Sequence, residues 1–227
     1  MRQFFTGLLC LSVWVTPLAC LAQQAPTLKA GTLSIQFQQV DFSDFNRQGL
    51  ELDYSPLPDG VGEVGGGVIY MTKRWKTTVL LVLGQGNTGG QGNQQESRYE
   101  YIGGSTGTAF NLLDPESRWF LGPEITALLR AEQVTLTNSP PVNGLSGAIG
   151  ADFVKLTRFG GVADVGLNVH RHLKYRSEND KGALLTLRGG FRLDPGDQWR
   201  VDQALPVNNT GINAGGWYGS ISYSFVW

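Results

Sequence analysis

Cysteine is nearly absent from this chain. Two occur in 227 residues, Cys10 and Cys20, and both precede Ala22. No disulfide framework therefore holds the remainder together. Charge is sparse as well: Asp, Glu, Lys and Arg make up 16%, and a formal net charge of -1 supplies no basic field for nucleic acid. Long hydrophobic runs are missing after Ala22. The longest, "VLLVLG" from Val79 to Gly84, falls well short of the ~20 apolar residues a membrane-crossing helix needs. Histidine is limited to His170 and His172. No long segment has helical periodicity, and no repeat of fixed period stands out.

What is present begins with the N-terminus. "MRQFFTGLLCLSVWVTPLACLAQQ" joins Arg2, an apolar stretch from Phe4 and a small-residue end. That pattern is a secretory signal peptide, residues 1–22, with cleavage after Ala22 and residues 23–227 as the exported domain. Loss of Arg2 takes the net charge from -1 to -2. A rival reading makes Cys20 of "PLAC" a lipidated terminus, but proline three positions before the cysteine fits that motif poorly. An exported chain without spanning helices either dissolves or enters a membrane as a closed barrel.

Glycine is abundant, at 31 residues, and alternation of period two is widespread. "ALLTLRGGFRL" sets Leu185, Leu187, Phe191 and Leu193 against Thr186, Arg188 and Arg192. "GGVADVGLNVHRHLKY" sets Val165, Leu167 and Val169 against Asp164, Asn168, His170 and His172. "RWFLGPEITALLRAE" sets Leu121, Ile125 and Leu129 against Glu124, Thr126 and Arg130. Further strands are expected at "GTLSIQFQQVDF" (with a bulge where the phase shifts at Val40 and Phe42), "GEVGGGVIYM", "KTTVLLVLG", "RYEYIGGSTGTAF", "SGAIGADFVKLT", "DQWRVDQAL" and the C-terminal segment. Short connections at "MTKRWK", "LDPES", "TRFGG" and "LDPGD" alternate with longer polar ones, among them "GQGNTGGQGNQQES", "NSPPVNG" and "SENDKG".

The fold expected is all-β: a closed antiparallel up-and-down transmembrane barrel of ten strands, or of eight with the region before Lys76 as an extension. Glu124, Arg130, Asp152, Asp164, His170, His172, Arg188 and Arg192 then point into the lumen and form a polar network. Trp75, Tyr99, Tyr101, Trp119, Tyr175, Trp217 and Trp227 fall near strand ends, where indole and phenol rings favour lipid headgroups. A soluble β-sandwich, with the apolar faces turned inward, is the alternative.

The chain ends "WYGSISYSFVW", with Ile221, Tyr223, Phe225 and Trp227 in one register and serines in the other. This ending resembles the C-terminal assembly signal of Gram-negative outer-membrane β-barrel proteins, in which the last strand closes on an aromatic residue, usually Phe. Trp227 departs from that pattern. The general style, with "AQQ" after the signal, is similar to small barrels of Bacteroidota type. The resemblance implies an outer-membrane location, contact with outer-membrane lipid and insertion by the barrel assembly machinery.

Chemistry is thinly represented. "HRH" puts two imidazoles on one strand face and could supply two metal ligands, with Asp164, Glu124 or Asp152 as a third. A lipid A-modifying hydrolase would need a serine such as Ser146 or Ser177 beside His170. Neither has an accompanying motif, and the glycine-rich stretches are not phosphate loops. The expectation is a non-enzymatic barrel without cofactor, metal or nucleic-acid partner, its narrow lumen filled by side chains, with a structural, small-solute or ligand-binding role rather than that of a wide general porin, and its external ligand unassigned.

Overall fold

The computed structural model describes residues 28–52, 54–88, 95–137, 153–174, 182–195, 199–201, 205–207 and 210–226. The expected signal segment, Asp152, Tyr175 and Trp227 lie outside the described residues. Eight long strands form the wall of a closed antiparallel barrel: β1 (Leu28–Gln39), β2 (Gly60–Met71), β3 (Trp75–Thr88), β4 (Glu96–Phe110), β5 (Trp119–Thr137), β6 (Phe153–Lys174), β7 (Ala183–Leu193) and β10 (Gly216–Val226). Each pairs with the next, and β1 pairs with β10 from Ala30↔Val226 to Gln38↔Tyr218, which leaves the wall without an edge. A two-sheet sandwich is thereby ruled out.

The strand count departs from ten for two reasons. "TRFGG" is not a turn. Residues 146–157 and 160–175 were expected as two strands, but their described parts form one strand, β6, paired with β5 from Trp119↔Arg171 to Thr137↔Phe153. Glycine at 160 and 161 mimics turn chemistry, yet both sit mid-ladder opposite Arg130 and Leu129. "DQWRVDQAL" is not in the wall either. Its described parts give a three-residue strand β8 (Trp199–Val201), which pairs with the far end of β6 and with β9 (Leu205–Val207). The eight-strand alternative is right in number but not in composition, because β1 and β2, before Lys76, belong to the wall.

Merging two strands also moves the connections. The β2–β3, β4–β5 and β6–β7 links share one end with Leu28 and Val226, here the turn end. "SENDKG" therefore belongs to the turn end and "LDPGD" to the opposite, loop end. The phase shift after Gln39 is not a bulge. β1 stops there, and Val40 and Phe42 fold over the loop-end mouth, both fully buried. There they pack with Phe45, Leu57, Tyr99, Trp199 and Ile212. Phe45 comes from a short helix, α1 (Ser43–Leu50), that the strand-based reading missed. Asp41 leads into it, accepting hydrogen bonds from Ser43 N at 2.9 Å and Ser43 Oγ at 2.5 Å, and these hold its carboxyl below the ordinary aspartate range. Gly211 has φ +70°, and a Cβ there would meet Asp44 Cβ at 2.5 Å, so the loop closes on α1 only with glycine.

The wall is inverted relative to a soluble barrel. Leu33, Ile35 and Phe37 of β1 are more than 60% exposed, while Thr32, Ser34, Gln36 and Gln38 between them are buried. β10 repeats the arrangement, with Trp217, Ile221, Tyr223 and Phe225 outside and Ser220, Ser222 and Ser224 inside. The apolar face points outward and the polar face fills the interior.

If β6 is one strand, the amides of residues 158–163 should exchange with deuterium as slowly as those of residues 164–169. Fast exchange confined to Phe159–Gly161 would restore the hairpin.

Candidate functional site

Inward positions along each strand converge on the barrel axis, because side chains on one face of a closed sheet have nowhere else to go. Buried charge must then be paired. Arg192 of β7 donates Nε to Asp164 Oδ1 at 2.6 Å and Nη2 to Asp164 Oδ2 at 2.9 Å, a bidentate contact across directly opposed residues of β6 and β7. Its other Nη contacts Gln38 and stands 3.7 Å from Glu63 Oε2. Glu63 accepts the Tyr101 hydroxyl. A Cβ on Gly84 would lie 2.1 Å from the Tyr101 ring, so the tyrosine reaches Glu63 by lying over a bare backbone.

A second set sits nearer the loop end. Glu132 accepts from Tyr99 Oη at 2.5 Å and pairs with Arg158. Arg158 also reaches Asp194, donating Nη1 to Oδ1 at 3.1 Å and Nη2 to Oδ2 at 2.7 Å. Arg130 contributes charge, with Nη2 at 2.9 Å from Glu132 Oε1, and its guanidinium lies 5.0 Å above the Tyr101 ring. A third set lies toward the turn end. Glu124 Oε2 accepts from Arg188 Nε at 3.1 Å and from Asn168 Nδ2 at 2.6 Å, and Asn168 Oδ1 accepts from Lys76 Nζ at 3.4 Å.

Of the expected lumen residues, the structure brings Glu124 together with Arg188 and Asp164 with Arg192, and places Arg130 beside Glu132. His170 is buried against Phe120, the rings stacked at 4.5 Å, and His172 lies edge-on to it at 5.4 Å. Among the described residues no three His, Cys, Asp or Glu side chains converge as a metal site. Asp152 lies outside the described residues. Of the C-terminal residues, Ile221, Tyr223 and Phe225 face outward on β10, and Trp227 is beyond the described chain.

Glu63, Lys76, Tyr99, Tyr101, Glu132, Arg158 and Asp194 were missed. Glu132 follows Arg130 by two and shares its face, so extending the period-two reading of β5 would have found it. Arg158 was hidden in the supposed turn. Tyr99 and Tyr101 were expected at the headgroups but are buried, because their phase on β4 is inward. Trp119 and Trp217 do face outward.

Comparison with protein-family models and with curated proteins finds no match. Among solved structures, the N-terminal β-barrel domain of Pseudomonas aeruginosa OprF is similar at 12% identity, covering 88% of this chain and 97% of that one, with a TM-score of 0.30. So loose a superposition carries no weight for fold or function, and the architecture rests on the strand pairings.

Replacing Arg192 by leucine strands Asp164 and Glu63 in the interior. Denaturant unfolding should show a loss of about 3–5 kcal/mol. Arg98→Leu breaks an exposed pair with Glu100 and should cost under about 1 kcal/mol. Equal losses would mean the lumen is hydrated enough to screen its charges.

Proposed function

We propose that this chain is an integral outer-membrane β-barrel whose lumen is closed by its own side chains, and that it serves a structural or ligand-binding role without acting as a wide general porin. The observation that carries the reading is the inverted wall. Leu33, Val64, Leu81, Ile125, Leu167, Leu187 and Ile221, from seven of the eight wall strands, are all exposed. In water such a continuous surface would drive aggregation, whereas in lipid it is the stable arrangement.

The dimensions agree. Along β5 the outward face is uncharged from Leu121 to Ala131. At ~3.4 Å per residue and a tilt of ~40° that span is about 26 Å, against the ~25 Å apolar band of outer-membrane barrels. Polar outward residues take over at Gln133 on β5, Gln85 on β3 and Glu100 on β4. At the turn end Trp75 packs edge-on to Phe110 at 4.9 Å, and Arg171 stands 5.2 Å over Trp119. That mixture of aromatic and cation suits the headgroup level.

Closure of the lumen is supported by its packing. The ionic sets occupy the middle. Val40, Phe42 and Trp199 cover the loop end, and Ile69, Met71, Phe120 and Leu184 cluster toward the turn end. Periplasmic turns are short in this class of barrel and external loops longer, so the loop end faces outward and carries any ligand-binding surface. A hydrolase reading gains nothing from the geometry, since His170 is buried against Phe120 toward the turn end, opposite the loop end, and Ser146 and Ser177 lie outside the described residues. Export by a cleaved signal and insertion by the barrel assembly machinery complete the proposal.

In outer-membrane fractions the unboiled protein should migrate differently from the boiled protein on SDS gels, since a closed barrel resists SDS until heated. In planar bilayers it should show no steady porin-like conductance. A soluble periplasmic protein without a heat shift would overturn the membrane reading, and stable open channels would overturn the closed lumen.

A further inference from the structure

The buried charges are not evenly shared along the barrel. The loop-side sets hold Glu63, Glu132, Asp164 and Asp194 against Arg130, Arg158 and Arg192, an excess of one carboxylate. The turn-side set holds Glu124 against Arg188 and Lys76, an excess of one cation. Among the described residues Lys76 is the buried cation with no carboxylate within 4 Å. It is 2% exposed, and its amide partner is distant at 3.4 Å. An ammonium so placed is strongly disfavoured unless an anion offsets it.

Beside it stand donors without acceptors. Asn168, which Lys76 reaches, is two residues from His170 on the same face of β6. His170 is 1% exposed, and neither ring nitrogen has a hydrogen-bond partner. Thr186 lies directly opposite it on β7, equally buried, with its hydroxyl also unpartnered. A neutral imidazole offers one N–H, threonine one O–H and lysine its N–H bonds. His172, half-buried, stands between this cluster and the turn-end rim, where Lys73, Arg74, Arg118 and Arg171 are exposed.

We infer that Lys76, His170 and Thr186 form a binding site for a compact inorganic anion of halide size inside the lumen. The anion accepts from the Lys76 ammonium, one His170 N–H and the Thr186 hydroxyl, and it cancels the excess cation of the turn side. A divalent metal does not suit the same cluster, because the ammonium repels it and the two imidazoles lack a third ligand. The basic rim raises the local anion concentration at the end from which the site is nearer. The inference depends on closure of the barrel and not on which membrane holds it.

The chain has two histidines, so imidazole ¹⁵N resonances report the site directly. The full chain in detergent micelles, labelled at histidine, is titrated with sodium chloride at constant ionic strength against sodium gluconate, whose anion is too bulky to enter. The His170 resonances should shift saturably, and the saturation should vanish in Lys76→Met. Absence of a saturable shift in the unsubstituted protein overturns the site, as does unchanged saturation in a Lys76→Met protein that keeps its heat-dependent mobility. Should Lys76→Met lose that mobility, Thr186→Val takes its place. A tenfold or greater loss of chloride affinity there supports the site, and unchanged affinity overturns it.

Discussion

Pairing of β1 with β10 joins the two ends of the described chain and turns a ribbon of strands into a cylinder with a distinct inside and outside. Each wall strand is then hydrogen-bonded to a strand on either side, which is the kind of internal pairing that crossing a hydrocarbon layer requires. Closure also assigns each side chain one of two destinations by its parity along the strand. The rest of the molecule answers to that division. Outside, parity selects leucine, isoleucine, valine and aromatics. Inside, it collects serine, threonine, glutamine and charge, and opposite charges on neighbouring strands pair with one another.

The interior resolves this demand by layering. Carboxylates and guanidiniums alternate across neighbouring strands, so that Asp164 and Arg192 are opposed on β6 and β7, and Glu124 reaches Arg188 two strands away. Aromatic rings fill what ions cannot. Tyr101 lies over Gly84, and Tyr218 is within 6.0 Å of both Arg188 and Arg192. The loop end is finished with apolar side chains from Val40, Phe42 and Trp199, whose segments leave the wall to cover it. Ion pairs in the middle of the described interior thus give way to hydrophobic cover at the loop end.

Much of this was legible because period-two alternation survives any uncertainty over strand length. The faces of β5, β7 and β10 could be assigned residue by residue, and with them the inward direction of Glu124, Arg188 and Arg192. Connections were less legible. Phe159, Gly160 and Gly161 have the composition of a turn, yet they continue β6 because β5 offers an unbroken partner along its whole length. Local propensity is a weak guide where a long neighbour supplies hydrogen bonds. That one misjudgement changed the strand number, exchanged the ends to which "SENDKG" and "LDPGD" belong, and concealed Arg158. Tyr99 and Tyr101 show the converse error, in which residue type was given precedence over phase.

By itself the sequence determined the class of fold and the apolar and polar faces of the clearest strands, because these depend on parity and composition. The tertiary structure alone decided how many strands close the barrel, which charges meet and where Lys76 is left without a carboxylate. Those depend on register between strands far apart in the chain, and alternation within any one strand contains no information about its neighbour's offset.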